Sequence, residues 1–344
     1  MSHWIVAACA LACLFGCVSS TPPAPYDGPG VRYEGGDGPG QGRHIVLVAG
    51  DEEYRSEEAL PALAKILSVH HGFTCTVLFA LDEANETIDP DARGNIPGLS
   101  VVDEADMLVL FTRFRRLPDE DMAHIVDYIE AGKPVLGIRT ATHAFAYEQD
   151  STSPYAHWTW NDSGWSGGFG RQVLGETWIN HHGRHGSEST RGVIPRRVSR
   201  HPILRGVEDI WGPTDVYGIK QLPDDALVLV RGAVLDSMEP DGTIVDDPRN
   251  DPMMPIIWLR SRELDGGVTQ RVIGSTIGAS VDLASAGLRR TLVNACYWAQ
   301  GMEDDIADRS VVDLVGDYAP TMFGFGASVK GVRPQDHELP VDDS

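Results

Sequence analysis

The sequence predicts an α/β fold: a doubly wound, mostly parallel sheet with helices on both faces, in a single domain with a long inserted loop. Two observations carry this. Short, continuous apolar runs end in small or polar residues, as buried parallel strands do. Those runs alternate with segments whose apolar residues recur at helical spacing, and strands alternating with helices imply right-handed crossovers.

Ile45-Val46-Leu47-Val48-Ala49 ends at Gly50 and reads as the first strand. A helix follows, with Ser56 as its N-cap and Ala59, Leu60, Leu63, Ile66 and Leu67 on one face. Cys75 to Leu81 is a second strand, and Met107 to Phe111 a third that ends at Thr112-Arg113. The next helix spans about Pro118 to Ala131, with Met122, Ile125, Val126 and Ile129 inward and Gly132 as its stop. Pro134 to Ile138 is the fourth strand. Tyr147 to about Arg191 breaks the pattern with Trp, His, Gly, Asn and Ser. So long a loop in a compact domain is usually functional or disordered, and its aromatic content argues for order. Strand-like runs return at 215–219, 226–230, 255–259 and 271–276, and Leu288 to Ala299 is an amphipathic helix.

Flanking segments complete the domain plan. Trp4 to Phe15 is an apolar stretch of signal-peptide length, short of the roughly 20 residues a spanning helix needs. Leu14-Phe15-Gly16-Cys17 resembles a bacterial lipobox, although no Lys or Arg precedes Trp4. That gives a lipoprotein signal over 1–17 with Cys17 as lipidation site, and a membrane-anchored protein on the periplasmic or extracellular side. A Pro/Gly-rich linker over 18–43, an α/β domain over 44–303 and a C-terminal extension over 304–344, acidic and frayed at its end, follow. The net charge of −22 argues against nucleic acid as a partner, because phosphate neutralisation needs a basic face. Cys75 and Cys296 lie in apolar settings and read as buried structural thiols.

In an open α/β sheet the ligand crevice lies outside the carboxyl ends of the strands. That rule alone nominates Asp51 to Arg55, Arg113 to Arg116 and Arg139 to His143. His181, His182 and His185 form a Gly-flanked imidazole cluster whose spacing fits a divalent ion such as Zn²⁺ if helical, though Gly183 and Gly186 favour a loop.

Three segments resemble the trehalose-utilisation (ThuA-like) family: Val48-Ala-Gly-Asp-Glu-Glu-Tyr54, the Gly137-Ile-Arg-Thr-Ala-Thr142 turn, and Arg289-Arg-Thr-Leu-Val-Asn-Ala-Cys-Tyr-Trp-Ala299. The resemblance covers about Arg43 to Glu303 and implies a flavodoxin-like fold shared with class I glutamine amidotransferases. It also implies a role in carbohydrate metabolism, often beside oxidoreductases that make 3-keto sugars, and a carbohydrate as small-molecule partner. Amidotransferases carry a cysteine nucleophile at the turn after the fourth strand. Here Arg139 fills that slot and stays protonated, so glutaminase chemistry is excluded. Many family members have a His there, so Arg139 is a departure.

The resulting site has His143, His182 and Asp215 as catalytic candidates. Arg139, Arg113, Glu53, Tyr217 and Trp160 are the substrate-binding candidates, and His181 and His182 the metal candidates. Each has a plainer reading. Arg139 pairs with an acid to fix the turn, His143 packs a helix turn, Asp215 caps a strand, Tyr217 is core, and Trp160 belongs to a local aromatic core. Clustered His, Asp and Arg favour an enzyme that acts on a sugar or glycoside, either native or already oxidised to a ketone, by hydrolysis, elimination or isomerisation. A non-catalytic sugar-binding lipoprotein or a scaffold is the alternative.

Overall fold

The computed structural model describes Met1 and residues 27–339. The signal segment and Cys17 lie outside the described residues. One ten-stranded sheet organises the chain, in the order β1-β3-β2-β4-β5-β10-β9-β8-β6-β7. Its parallel half contains β2 (His44–Gly50), β3 (Thr74–Phe79), β4 (Met107–Thr112), β5 (Val135–Ile138) and β10 (Val268–Ser275). β1 (Val31–Tyr33) flanks β3 antiparallel. The other half contains β6 (Ser189–Val193), β7 (Trp211–Gly212), β8 (Ala226–Leu235) and β9 (Met254–Leu264), all joined antiparallel.

The expected mostly parallel, flavodoxin-like doubly wound sheet is therefore corrected. The sheet is mixed, with four parallel and five antiparallel pairings. The reason is local. β9 and β10 are separated by Asp265, Gly266 and Gly267, with both glycines at positive φ. Three residues can close a hairpin but cannot carry the crossover of a dozen or more residues that parallel neighbours need. No helix intervenes between β6 and β10 beyond short 3₁₀ turns, so this half of the sheet is not wrapped as the parallel half is.

Helices cover the parallel half. α1 (Ser56–His71) and α3 (Ala286–Ala299) pack on Ile45, Leu47 and Ala49, while α2 (Asp119–Glu130) and Leu99 pack on Val46, Val48, Leu108 and Leu110. The alternation of one strand between two cores is the period-2 pleat, and it explains why β2 is apolar at nearly every position. Ser56, expected as a cap, is the first helical residue, and its hydroxyl accepts from the Asp51 N–H at 3.0 Å.

Two flanking segments are more structured than composition indicates. Val31–Tyr33, within the expected linker, is β1. The C-terminal extension docks back on the domain. The Tyr318 hydroxyl donates to Ser280 O at 2.7 Å, Thr321 binds the Glu58 carboxylate, and His337 stacks on Phe79 with centroids 5.4 Å apart. The inserted loop is ordered around Trp158, which is buried and stacks on Phe169. Cys75 and Cys296 are free and buried, as expected of structural thiols. No helix among the described residues is long and apolar enough to cross a membrane.

Candidate active site

The parallel strands β2, β4 and β5 end side by side, and the turns after them build the floor of a crevice. Three of the non-glycine residues with positive φ sit on these turns: Arg55 (φ 59°), Phe114 (φ 50°) and Arg139 (φ 47°). A left-handed conformation costs a residue with a Cβ on the order of 1 kcal/mol or more. Three such residues around one crevice mark a region whose side-chain positions are imposed by the surrounding fold.

Asp51 organises the first turn. Its carboxylate accepts from the Glu53 N–H at 2.7 Å, from the Tyr54 N–H, and from the Thr140 hydroxyl at 2.5 Å. Complete burial raises its pKa, and the Thr140 and backbone bonds oppose that. The next two residues face a cluster of arginines. Glu52 binds Arg113 at 2.5 Å and the wholly buried Arg115 at 2.6 Å, and Glu53 lies 3.4 Å from the Arg113 Nε. Burial raises the Glu53 pKa, opposed mainly by Arg113.

Asp215 is the centre of the site. It is fully buried, and its carboxylate accepts from His181 Nδ1 at 2.8 Å, Arg139 Nη2 at 3.0 Å and His185 Nδ1 at 3.2 Å. Burial pushes its pKa up, but the bonds from His181, His185 and Arg139 win and hold it well below the usual carboxylate range. The two imidazoles keep 34% and 35% of their side-chain surface exposed. Asp215 is thus out of reach while the rings it orients are accessible. His185 Nε2 lies 3.5 Å from Glu53, which closes the ring of groups.

Arg139 is placed beneath the site rather than in it. Its side chain is fully buried, donates to Asp215 O at 2.8 Å, Thr276 O at 2.6 Å and Tyr54 Oη at 3.3 Å, and lies against the Tyr54 and Tyr217 rings at 4.5 and 3.8 Å. It has no surface to offer a ligand, so the substrate-binding role expected of it is corrected: it positions Asp215. Sequence placed it at the right turn, but its orientation depends on strands far along the chain.

His182 is likewise corrected. Its Nε2 contacts Arg249 O at 2.8 Å, away from Asp215. His181 pairs with Tyr217 in an antiparallel bridge, and successive side chains on extended backbone point to opposite sides. Adjacent histidines therefore cannot both face the crevice. The turn at Arg184, closed by the Ser187 and Glu188 N–H groups, brings His185 back instead. Gly183 permits it, because a Cβ there would stand 3.1 Å from that of Asp215. The signal for His185 was the 181–185 spacing.

The remaining candidates lie around this centre. His143 is buried behind it, its ring among Phe114, Trp178 and Tyr217, and its Nδ1 is 3.1 Å from the Thr142 hydroxyl. Burial, then Arg113 and Arg139, lower its pKa well below the ordinary value, so it is neutral. Arg113 is held by its two glutamates, between the Phe114 and Phe325 rings. Tyr217 is buried and lines the floor beside His181, with ring centroids 5.4 Å apart. Trp160 packs on Phe114 and Trp178 at the rim. Sequence reading named Tyr54 only within the Asp51 to Arg55 turn and missed Trp178 and the C-terminal Phe323, which packs on Tyr54 at 5.4 Å and His185 at 5.2 Å. Phe323 carries no local signal, since its position depends on the whole tail folding back.

No protein-family model matches the chain, and no curated protein does. Solved structures do. A Bacteroides uniformis protein described as ThuA-like shares 13% identity, covering 78% of this chain and 95% of its own, with a TM-score of 0.48. A Parabacteroides merdae protein of the same description shares 14% identity, covering 82% and 97%, also with a TM-score of 0.48. The chain is similar to ThuA-like proteins. A cytoplasmic Salmonella typhimurium protein is a further match at 12% identity, covering 74% and 98%, with a TM-score of 0.40.

Proposed function

We propose that the protein is an enzyme of carbohydrate catabolism that acts on a sugar or glycoside carrying a ketone. The observation that carries this is the Asp215–His181 pair: a buried carboxylate holding a half-exposed imidazole at 2.8 Å. A carboxylate on Nδ1 fixes the tautomer and leaves Nε2 unprotonated, the arrangement of a general base. A ketone acidifies the neighbouring C–H. His181 Nε2 takes that proton, and the electron pair moves into the C–C bond to give an enolate. In an elimination the enolate re-forms the ketone as the glycosidic oxygen leaves at the β carbon, taking a proton from Glu53, whose pKa burial raises against the pull of Arg113. In an isomerisation the neighbouring hydroxyl passes its proton to the enolate oxygen and becomes the new carbonyl, while the ring's proton returns at the former carbonyl carbon. Glutamine hydrolysis has no place here, since Arg139 occupies the nucleophile turn and both described cysteines are buried.

The aromatic rim of Phe114, Trp160 and Trp178 also fits a binding module that turns nothing over. One experiment separates the readings: incubate the purified domain with a 3-keto disaccharide and with its unoxidised parent, and follow enone absorbance and released monosaccharide. The enzyme reading expects turnover of the keto sugar, with kcat reduced about 10²- to 10⁴-fold in His181→Ala. Tight binding of both sugars without turnover of either would replace it with the binding module. For its location, the proposal is a membrane tether through a lipidated Cys17, supported by the lipobox-like turn.

A further inference from the structure

We infer that His181, His185 and Asp215 form a binding site for a divalent transition-metal ion, of the class of Zn²⁺, Co²⁺ or Mn²⁺. Each of the three residues offers one ligand atom, and these atoms all lie within 4.8 Å of one another. The site lies in the crevice assigned above and rests on that reading of it, but an ion on His181 Nδ1 leaves the ring proton on Nε2, so with metal bound the base is a group other than His181. The ion's binding is independent of any turnover.

The spacing supports an ion where protons now sit. Ligand bonds to Zn²⁺ from nitrogen and carboxylate oxygen are about 2.0–2.2 Å, which sets neighbouring ligand atoms of a tetrahedron about 3.3–3.5 Å apart. The observed separations to the Asp215 oxygens are 2.8 Å from His181 and 3.2 Å from His185. These two contacts end on different carboxylate oxygens, and the three ligand atoms, all within 4.8 Å of one another, draw onto one centre when the ion replaces the shared protons. The donor set is also chemically selective. Two imidazoles and one carboxylate suit Zn²⁺ and its first-row neighbours better than Mg²⁺ or Ca²⁺, which prefer oxygen.

The surroundings hold the ligands as a metal site requires. Asp215 is fixed twice by Arg139, through its carboxylate at 3.0 Å and its carbonyl at 2.8 Å. Arg139 is itself fixed by Thr276 and lies against the Tyr54 and Tyr217 rings. Such outer partners orient ligands and are part of a working site. The His185 ring is backed by Phe323 and Tyr54. Glu53, 3.5 Å from His185 Nε2, stands where it can bind a metal-bound water or supply a further oxygen ligand. The exposed side of both rings leaves the remaining coordination position open to the crevice. An open position is the mark of a catalytic ion, and an ion there would stabilise the enolate oxygen as a Lewis acid.

The test uses the metal alone. Strip the protein with a chelator and titrate with Co²⁺, reading its visible absorption, and with Zn²⁺ by calorimetry. The wild-type protein is expected to take up one ion per chain with a tetrahedral or five-coordinate Co²⁺ spectrum. His181→Ala and His185→Ala are expected to weaken binding at least 100-fold, and His182→Ala less than threefold. Thermal melts of all four proteins without metal separate lost ligation from lost folding. Failure of the wild-type protein to bind a stoichiometric ion overturns the inference, whatever the variants do. Equal loss in His182→Ala, or none in His185→Ala, overturns the assignment of ligands. Turnover of the keto sugar by a protein free of metal leaves the general-base reading standing and removes the ion from the chemistry, not from the site.

Discussion

Asp215→Asn, paired with Arg139→Met, probes the ion pair on which the site stands. Both side chains are fully buried and meet at 3.0 Å. Asn keeps the shape of Asp215 but removes the charge opposite Arg139, and it turns an amide donor toward a ring nitrogen that now donates. Removing one partner of a buried pair leaves an uncompensated charge and costs about 3–5 kcal/mol, more than the pair contributes over an apolar substitute. For a domain of this size that corresponds to a fall in Tm of about 6–20 °C, at roughly 2–4 °C per kcal/mol. Arg139→Met leaves the opposite charge buried and costs a similar amount. The double variant leaves neither charge unpaired, so its loss should fall short of the sum by at least about 2 kcal/mol. Urea unfolding at pH 7, with all four proteins compared at equal m, reads this directly. The pH dependence has a fixed sign. The folded pKa of Asp215 is depressed, so between that value and the unfolded value of about 3.9 the unfolded chain binds more protons. The stability that Asp215 confers is therefore present above about pH 4 and is lost as pH falls through the folded value. The gap between wild type and Asp215→Asn should narrow on acidification. Losses below about 1 kcal/mol in each single variant, or strict additivity in the double, would refute the reasoning.

Thr140→Val removes the 2.5 Å hydroxyl bond to the buried Asp51 carboxylate and should cost about 1–3 kcal/mol in urea unfolding; a loss under 0.5 kcal/mol would mean that the backbone bonds to Asp51 suffice. Glu57 has both carboxylate oxygens buried with no side-chain donor, and burial, opposed by its own backbone N–H, lifts its pKa from 4.5 to about 8. The native state then holds a proton that the unfolded chain has released, so wild-type stability should fall as pH rises from about 4.5 to 8. Glu57→Gln should flatten that slope over the same window, and an unchanged slope would remove Glu57 as its source. Cys17→Ser should move the protein from the membrane to the soluble fraction of expressing cells; finding the unmodified protein already soluble ends the anchor proposal.

Much of the site's address was legible in sequence, because strand ends are fixed by local pattern. The runs at Ile45, Met107 and Pro134 are apolar on both faces, which only a covered strand explains. The polar residues after them, Asp51 to Arg55, Arg113 and Arg139, do border the crevice. The Gly137-Ile-Arg-Thr-Ala turn alone ruled out a cysteine nucleophile. Asp215 and Tyr217 were named, and both line the centre. What sequence could not set was direction. Whether Arg139 points into the crevice or under it depends on Asp215 and Thr276, 76 and 137 residues away. His182 and His185 exchanged places because the backbone at 181–186 takes an extended bridge and then a turn, and the Val216 to Gly218 backbone across the bridge fixes that register. Sheet polarity failed for a related reason. An apolar run looks alike in a parallel or antiparallel neighbour, and it is the three-residue connection with two left-handed glycines that makes β9 and β10 a hairpin. The C-terminal segment, unremarkable in composition, reaches the site through Thr321, Phe323 and Gly324, contacts with Glu58, His185 and Arg55 more than 100 residues distant. Sequence thus determined where buried strands run and which residue types stand at their ends, since those follow from local periodicity and solvation. Tertiary structure alone decided which of those groups face one another, since that depends on long-range pairing that no local window contains.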